Sequence, residues 1–187
     1  MDDALDGEEM RRFFVEGLSP DDKRVEIKGG EFAHLKKVLR LTLGSVVSVF
    51  DGRGVELTGV IETIEKDRAL FRVEGRNESL RESPLRLILI QGLPKGEKTD
   101  LIIQKATELG VSELRFYASS RVVVKMPGGG HGKKVERWKR IAIEAAKQCG
   151  RSVVPEAAFF EDLAHASTKL DGAAKIALWE NEKATSI

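Results

Sequence analysis

The most constraining feature of the sequence is an alternation of apolar runs and helical patterns between residues 85 and 151. Residues 85–90 form a short apolar run of the kind that makes a buried strand, and Gly92 breaks it. Apolar residues then recur at helical spacing until Gly110, where a left-handed helix cap would fit. This order predicts a strand followed by a helix.

The same order is repeated in the next stretch of the chain. Residues 112–117 alternate like a strand, and residues 135–148 carry a second helical pattern that Gly150 is placed to end. A third strand is predicted at residues 175–179. Strands and helices in this order form right-handed crossovers, so this part is predicted to be α/β with a parallel sheet.

Residues 10–78 have a different pattern, with short runs of β-branched residues and near period-two alternation. A helix is predicted at residues 31–39, and the glycines of residues 51–54 predict a hairpin turn. Strands are predicted at residues 25–28, 46–51, 55–64 and 69–74. Several short strands within one small segment predict a β-barrel, so the fold class is α/β plus β.

These patterns predict four segments along the chain. The acidic, unpatterned residues 1–9 are expected to be a disordered leader, and residues 10–78 the barrel. Residues 79–84 are expected to be a linker, because they are polar and without periodicity, and residues 85–187 the α/β domain.

Composition limits the classes of function. The net charge of the 187 residues is only +1, so any RNA-binding surface must be a local patch. The single Cys149 excludes an intramolecular disulfide and fits a reducing cytoplasm. The three histidines are spread along the chain, so no metal site is predicted. No apolar run approaches the ~18 residues of a membrane span.

Two groups of polar residues are candidates for contacts with RNA. Lys95, Lys98 and Arg121 follow predicted strands, and ligands of parallel sheets bind beyond the carboxyl ends of the strands. A second group of side chains suited to phosphate contacts falls on the predicted barrel: Arg11, Arg12, His34, Lys37 and Arg40. For both groups the alternative is that the charges are simply solvated.

Five ordered motifs carry a resemblance to a known family. They are MRRFF at residues 10–14, HLKKVLRLTLGS at 34–45, FDGRG at 50–54, KGEKTDLIIQKATELGV at 95–111 and ERWKRIAIEAAKQCGRSVVP at 136–155. In this order they resemble the bacterial small-subunit ribosomal RNA uridine-N3 methyltransferases of the SPOUT superfamily. The motifs cover nearly all of the sequence between residues 10 and 155.

The resemblance implies a fold and an activity. It implies an N-terminal PUA-like barrel that binds RNA and a SPOUT-type methyltransferase domain with a trefoil knot. It also implies S-adenosylmethionine as methyl donor, the small ribosomal subunit and its RNA as partner, a homodimer and a cytoplasmic location. Arg121 and Arg151 are the catalytic candidates, and Trp179, Glu180 and Asn181 are the cofactor-binding candidates.

The sequence departs from the family after the third predicted strand. The family's knot motifs lie further along the chain, and nothing similar to them precedes Ile187. We therefore expect a truncated family member that is inactive alone and binds S-adenosylmethionine weakly or not at all. Two alternatives are a non-catalytic RNA-binding or scaffold protein and an RNA methyltransferase with a different base specificity.

Overall fold

A computed structural model describes residues 10–77, 82–119 and 131–178, which form two units with one sheet each. The N-terminal unit comprises residues 10–77, and the C-terminal unit comprises the other two described ranges. Each unit has its own cluster of buried apolar side chains. The predicted division of the chain near residue 80 therefore coincides with a change of sheet.

The N-terminal unit is a five-stranded mixed sheet with one short helical segment. Its elements are β1 Arg11–Phe14, β2 Arg24–Lys28, α1 Gly29–Ala33, a π-helical turn His34–Val38, β3 Val46–Phe50, β4 Glu56–Ile64 and β5 Arg68–Arg76. The strand order is β1-β3-β4-β5-β2, with β1 parallel to β3 and the other pairs antiparallel. Among the described residues β1 and β2 do not pair, so the predicted barrel is a curled half-barrel.

The predicted hairpin and helix are both present in this unit. The Asp51 side chain accepts hydrogen bonds from the backbone N–H groups of Arg53 (2.7 Å) and Val55 (3.1 Å), which folds the turn between β3 and β4. Gly52 and Gly54 have positive φ angles there, as the turn requires. The predicted helix is divided into α1 and the π-helical turn that follows it.

The curl of the half-barrel encloses its core. Phe13, Ile27, Leu35, Leu57 and Phe71 are fully buried and come from four strands and the π-helical turn. The pairing of β4 with β5 is interrupted by two irregularities in register, and such bulges bend a strand. The buried apolar side chains of the unit therefore form one cluster.

The C-terminal unit is the predicted α/β part. Its elements are β6 Ile88–Gly92, α2 Lys98–Glu108, β7 Glu113–Tyr117, α3 His131–Cys149, β8 Glu156–Phe160 and α4 Leu163–Ala166. The strands lie in the order β6-β7-β8 and are all parallel, as predicted. Gly110 and Gly150 have positive φ angles after α2 and α3, which confirms their predicted role as helix caps.

Two of the predicted strands were wrong in their placement. The third strand is β8, and the described residues 175–178 are exposed and belong to no strand. Residues 156–160 follow α3 after a short turn and can pair with the free edge of β7 directly. The first strand begins at Ile88 and not at residue 85 as predicted, and Leu85 and Leu87 before it are exposed.

Packing of the two long helices covers the parallel sheet. Trp138 of α3 lies against Phe116 of β7 with ring centroids 4.8 Å apart. Ile103 of α2 and Ala142 of α3 are fully buried in the same cluster. The amphipathic patterns seen in the sequence therefore face the sheet.

Candidate functional site

The carboxyl edge of the parallel sheet is the first candidate site. The strand ends are held together there, since Leu93 N–H donates to Tyr117 O (2.8 Å) and Ala118 N–H donates to Phe160 O (3.2 Å). Lys95 lies in the loop that leaves this edge. Lys98 is the first residue of α2, and both lysine side chains are exposed. The structure thus places two of the predicted cations where ligands of parallel sheets bind.

Other residues predicted for this edge fall in segments that the structure does not describe. Arg121 lies outside the described residues, and so do Trp179, Glu180 and Asn181. Gly92 ends β6 beside the Tyr117 side chain, whose Cζ and Oη would lie in ordinary contact, at 3.5 Å, with an added Cβ. The described part of the edge therefore consists of strand ends, Gly92 packed beside Tyr117, and two lysines.

Exposed cations on the N-terminal unit form the second candidate site. Arg11, Lys37 and Arg40, called the free cations from here on, make no hydrogen bond or ion pair with any part of the chain that the structure describes. Lys36 is different, because its ammonium lies over the Phe32 ring at 5.2 Å and donates to Glu65 O. Three of the predicted phosphate contacts are therefore available to a ligand.

Arg40 also has an unusual backbone. Its φ angle is 50°, and Arg40 and Lys169 are the two non-glycine residues with positive φ in the described ranges. A non-glycine residue in this region costs about 1–2 kcal/mol. Arg40 follows the residue that caps the π-helical turn, and Leu41 N–H donates to Leu35 O (3.1 Å), so the left-handed residue closes this helix end.

The imidazole of His34 has a packing role. The ring is half-buried and meets Phe13 edge-on, with centroids 6.3 Å apart. This contact brings the π-helical turn next to β1, so Arg11 and Lys37 lie on neighbouring elements. His34 therefore packs against the core of the N-terminal unit, and its contact with RNA stays a prediction.

Arg12 is not free to contact RNA in this structure. Its guanidinium donates to Glu56 in β4 and to the carbonyl oxygens of Ala146 (2.7 Å) and Arg151 (2.9 Å) in the C-terminal unit. Only 10% of the side chain is exposed. The geometry therefore gives no support to the predicted phosphate contact.

Arg151 is likewise engaged within the protein. Its guanidinium donates to Thr107 O (2.8 Å) in the last turn of α2 and to Val111 O (2.9 Å) between α2 and β7. The other side of the guanidinium pairs with Glu82. The predicted catalytic contact of Arg151 gets no support from this geometry, because its side chain bonds to Glu82, Thr107 and Val111 within the protein.

Two glutamates that the sequence interpretation missed hold these arginines in place. Glu56 is buried and binds Arg12, and Glu82 binds Arg151 and the backbone N–H groups of Ser152 and Val153. A signal for Glu56 was present in the sequence: it begins an apolar strand, and a buried carboxylate requires a partner. Glu82 lies in the polar stretch interpreted as a linker and carried no such signal.

Within residues 10–77, 82–119 and 131–178, no group of three or more histidine, cysteine or acidic side chains could hold a metal ion. In the same ranges no helix has the length and apolar character needed to cross a membrane.

The protein thus consists of a half-barrel that exposes the free cations and an α/β unit with a parallel sheet. The half-barrel is bonded to α3 and to the segment that follows it. Residues 81–187 match the model of an RNA methyltransferase domain, and residues 27–74 match that of an RNA methyltransferase PUA domain. The first match covers more than half of the chain. The chain therefore belongs to the RNA methyltransferase family.

Individual relatives agree with this assignment. The ribosomal RNA small subunit methyltransferase E of Bacillus subtilis is 35% identical over 78% of this chain, which spans 58% of that protein. The protein of the same name from Synechocystis is 32% identical over 72% of this chain and 42% of its own length. A crystal structure of this methyltransferase from Neisseria gonorrhoeae, bound to S-adenosyl methionine, is 32% identical with a TM-score of 0.78, covering 88% of this chain and 67% of that one.

Proposed function

We propose that the complete gene product transfers a methyl group from S-adenosylmethionine to N3 of a uridine in small-subunit ribosomal RNA. The observation that carries the proposal is the combination of two units within one chain. One unit matches a methyltransferase domain, and the other matches a PUA domain and exposes the free cations. The names of the relatives support ribosomal RNA as the substrate class.

RNA binding is assigned first to the free cations. Arg11, Lys37 and Arg40 are exposed, and cations without protein partners are available to neutralise phosphates. Lys95 and Lys98 would continue this contact at the carboxyl edge of the parallel sheet. The net charge of the chain is nearly zero, so these local positions carry the attraction for RNA.

The chemistry requires a nucleophilic uridine nitrogen. N3 of uracil is a weakly acidic imide and a poor nucleophile while it carries its proton. A cation next to the uracil carbonyl oxygens stabilises the negative charge that develops on deprotonation. We assign this role to Arg121 and Lys95. Arg151 donates to Thr107 O in the last turn of α2, so its role here is to order the protein.

The methyl donor fits the carboxyl edge of the parallel sheet. Parallel sheets bind ligands at this end, and Lys95 and Lys98 are exposed there. Trp179, Glu180 and Asn181 are proposed to complete the cofactor site. S-adenosylmethionine, when bound, supplies an electrophilic methyl group, and the edge has to orient the uridine toward it.

Several related statements stay predictions. These are the homodimer, the cytoplasmic location and the domain limits at residues 10–78, 79–84 and 85–187. The family matches at residues 27–74 and 81–187 support those limits.

Methyl transfer can be tested directly. The complete gene product is incubated with S-adenosylmethionine carrying a labelled methyl group and with small ribosomal subunits that lack the modification. We expect one methyl group on N3 of a single uridine, located by mass spectrometry of RNA fragments. Label on another base would contradict the uridine assignment, and the absence of any label on RNA would contradict the enzyme assignment.

A further inference from the structure

We propose that Arg12 is a positioning residue that fixes the N-terminal unit against the C-terminal unit. In this arrangement the free cations keep one distance and one orientation relative to the carboxyl edge of the parallel sheet. The coupling between the two units is inferred from the hydrogen bonds of Arg12 alone. Its consequence for methylation rests on the proposed function.

The contacts of Arg12 cross between the units. Nε and Nη2 donate to the two carboxylate oxygens of Glu56 at 3.0 and 2.8 Å, which holds the guanidinium in a bidentate pair within the N-terminal unit. Nη1 then donates to Ala146 O at 2.7 Å, and Nη2 donates to Arg151 O at 2.9 Å. One side chain thus joins β4 of the first unit to the end of α3 in the second.

Physical chemistry favours arginine at this position. The last carbonyl oxygens of a helix lack intrahelical partners and carry partial negative charge, so a cation at the end of α3 is stabilised. The guanidinium also lies 4.6 Å from the centroid of the Phe50 ring. The planar fork can bind a carboxylate on one side and carbonyl oxygens on the other, which a lysine ammonium cannot reproduce.

Backbone hydrogen bonds and one ion pair near Arg12 also join the two units. Gly54 N–H donates to Ser152 O (3.2 Å), and Val154 N–H donates to Gly52 O (2.9 Å), so the β3–β4 turn is bonded to the segment after α3. Lys147 of α3 pairs with Glu31 of α1, and the lysine side chain is buried. Arg12 therefore lies within a continuous set of bonds between the units.

The junction continues toward the candidate site. The backbone of Arg151 accepts a bond from Arg12, and its side chain donates to the carbonyl oxygens of Thr107 and Val111 at the end of α2. The other end of α2 begins at Lys98, on the carboxyl edge of the sheet. Displacement of the N-terminal unit would therefore act on the helix that leads to that edge.

The neighbouring Arg11 provides a matched comparison. Successive residues of a strand face opposite sides, so Arg11 and Arg12 differ in environment although they are identical in type. Arg11 is exposed and has no partner among the described residues, whereas Arg12 is almost fully enclosed. We infer that Arg11 contacts RNA, whereas Arg12 joins the two units.

The coupling can be measured without RNA. Spin labels are attached to cysteines introduced at the exposed Lys66 in the N-terminal unit and Glu161 in the C-terminal unit, in a Cys149→Ser background. The distance distribution should be single and narrow in the parent and in Arg11→Ala, and it should broaden in Arg12→Ala. Arg24→Ala serves as a second control, because it removes an arginine whose partner Glu62 lies in the same unit.

A distribution in Arg12→Ala as narrow as that of the parent would overturn the proposal. If Arg12→Ala fails to fold, Glu56→Gln is measured instead, because it removes the carboxylate that orients the guanidinium. Glu56→Gln is also expected to broaden the distribution, and a distribution like that of the parent would again contradict the proposal.

A functional measurement separates positioning from phosphate contact. In the complete gene product, Arg12→Ala should leave RNA affinity and its salt dependence unchanged, while kcat for methylation falls by up to about 10²-fold through misplacement of the uridine. Arg11→Ala should instead flatten the plot of log K against log[salt] by about 0.7–0.9. If Arg12→Ala flattens that plot equally, Arg12 is a phosphate contact and the proposal is wrong. If the parent does not methylate RNA, the proposed function fails, and the distance measurement still decides the coupling.

Discussion

At the scale of single residues, arginine has two different uses in this molecule. Arg12, Arg115 and Arg151 each donate to the carbonyl oxygens at the end of a helix and each pair with a glutamate. Arg11 and Arg40 are exposed and make no such contacts in the described ranges. These three buried arginines therefore stabilise helix ends, whereas Arg11 and Arg40 are available to a ligand.

Substitution of Arg115 tests how much a buried arginine at a helix end contributes to the free energy of unfolding. Its guanidinium, 7% exposed, binds Glu113 and donates to Ala166 O (2.9 Å) and Thr168 O (2.7 Å) after α4. Arg115→Ala should lower the free energy of unfolding by about 3 kcal/mol, because it leaves buried partners unpaired. Arg86 pairs with the same Glu113 but is 72% exposed, so Arg86→Ala should cost less than about 1 kcal/mol. Urea denaturation measures both, and equal losses would contradict this account.

The pH dependence of stability follows from the same pair. The hydrogen bond from Arg115 lowers the pKa of Glu113 below its ordinary value, with attraction to Arg115 and Arg86 adding to it. The ionised carboxylate therefore contributes stability above the pKa of the unfolded chain, and this contribution disappears as the pH falls through the folded pKa. Glu113→Gln should be less stable than the parent near neutral pH, and the difference should shrink in acid. Urea midpoints across this range measure it, and a difference independent of pH would refute the assignment.

At the scale of elements, the curl of the half-barrel depends on a close approach of two strands. Gly59 lies at an irregularity in the pairing of β4 with β5, and a Cβ added there would be 2.0 Å from the carbonyl oxygen of Arg72. No rotation of a side chain can relieve a contact with backbone. A glycine is therefore required at this bend.

Alanine substitutions test this requirement. Gly59→Ala should lower the free energy of unfolding by about 3 kcal/mol or more, because the strands must separate. Gly30→Ala in α1 is the matched control, since nothing lies within 4 Å of its added Cβ. Alanine is favoured over glycine within helices, so this variant should gain up to about 1 kcal/mol. If the two variants have the same thermal midpoint, glycine is not required at residue 59.

At the scale of the whole molecule, the two units share bonds that place the free cations relative to the parallel sheet. Lys37 and Arg40 lie on the segment that follows α1, and Lys147 of α3 pairs with Glu31 in α1 itself. The segment that carries these cations is thus attached to the C-terminal unit. RNA bound by one unit would be presented to the other in a defined orientation.

RNA binding by the whole molecule gives a prediction at this scale. Lys37→Ala and Arg40→Gly should each flatten the plot of log K against log[salt] by about 0.7–0.9 for small-subunit RNA. Arg40→Gly should not lower the free energy of unfolding, because glycine tolerates the φ angle of 50°. Lys66→Ala, at an exposed turn of the same unit, serves as a control for loss of a lysine. Unchanged slopes in both variants would mean that these cations are only solvated.

Sequence pattern alone was sufficient for features stabilised by near neighbours. The hairpin at residues 51–54, the caps at Gly110 and Gly150, and the helices α2 and α3 depend on local turn chemistry and periodicity, whereas the short α4 was not predicted. The order of the motifs also predicted the family that the domain matches confirm. Arg121 and residues 179–181 lie outside the described ranges, so their roles stay predictions.

Only the tertiary structure decided which of two adjacent arginines is buried and which strand completes the parallel sheet. Arg12 and Arg11 are indistinguishable locally, and their difference arises from Ala146 and Arg151, more than 130 residues away. The third strand is residues 156–160 because they meet the free edge of β7, a partner that is remote in sequence. Burial of a charge and pairing of a strand edge both depend on groups brought together by the complete chain.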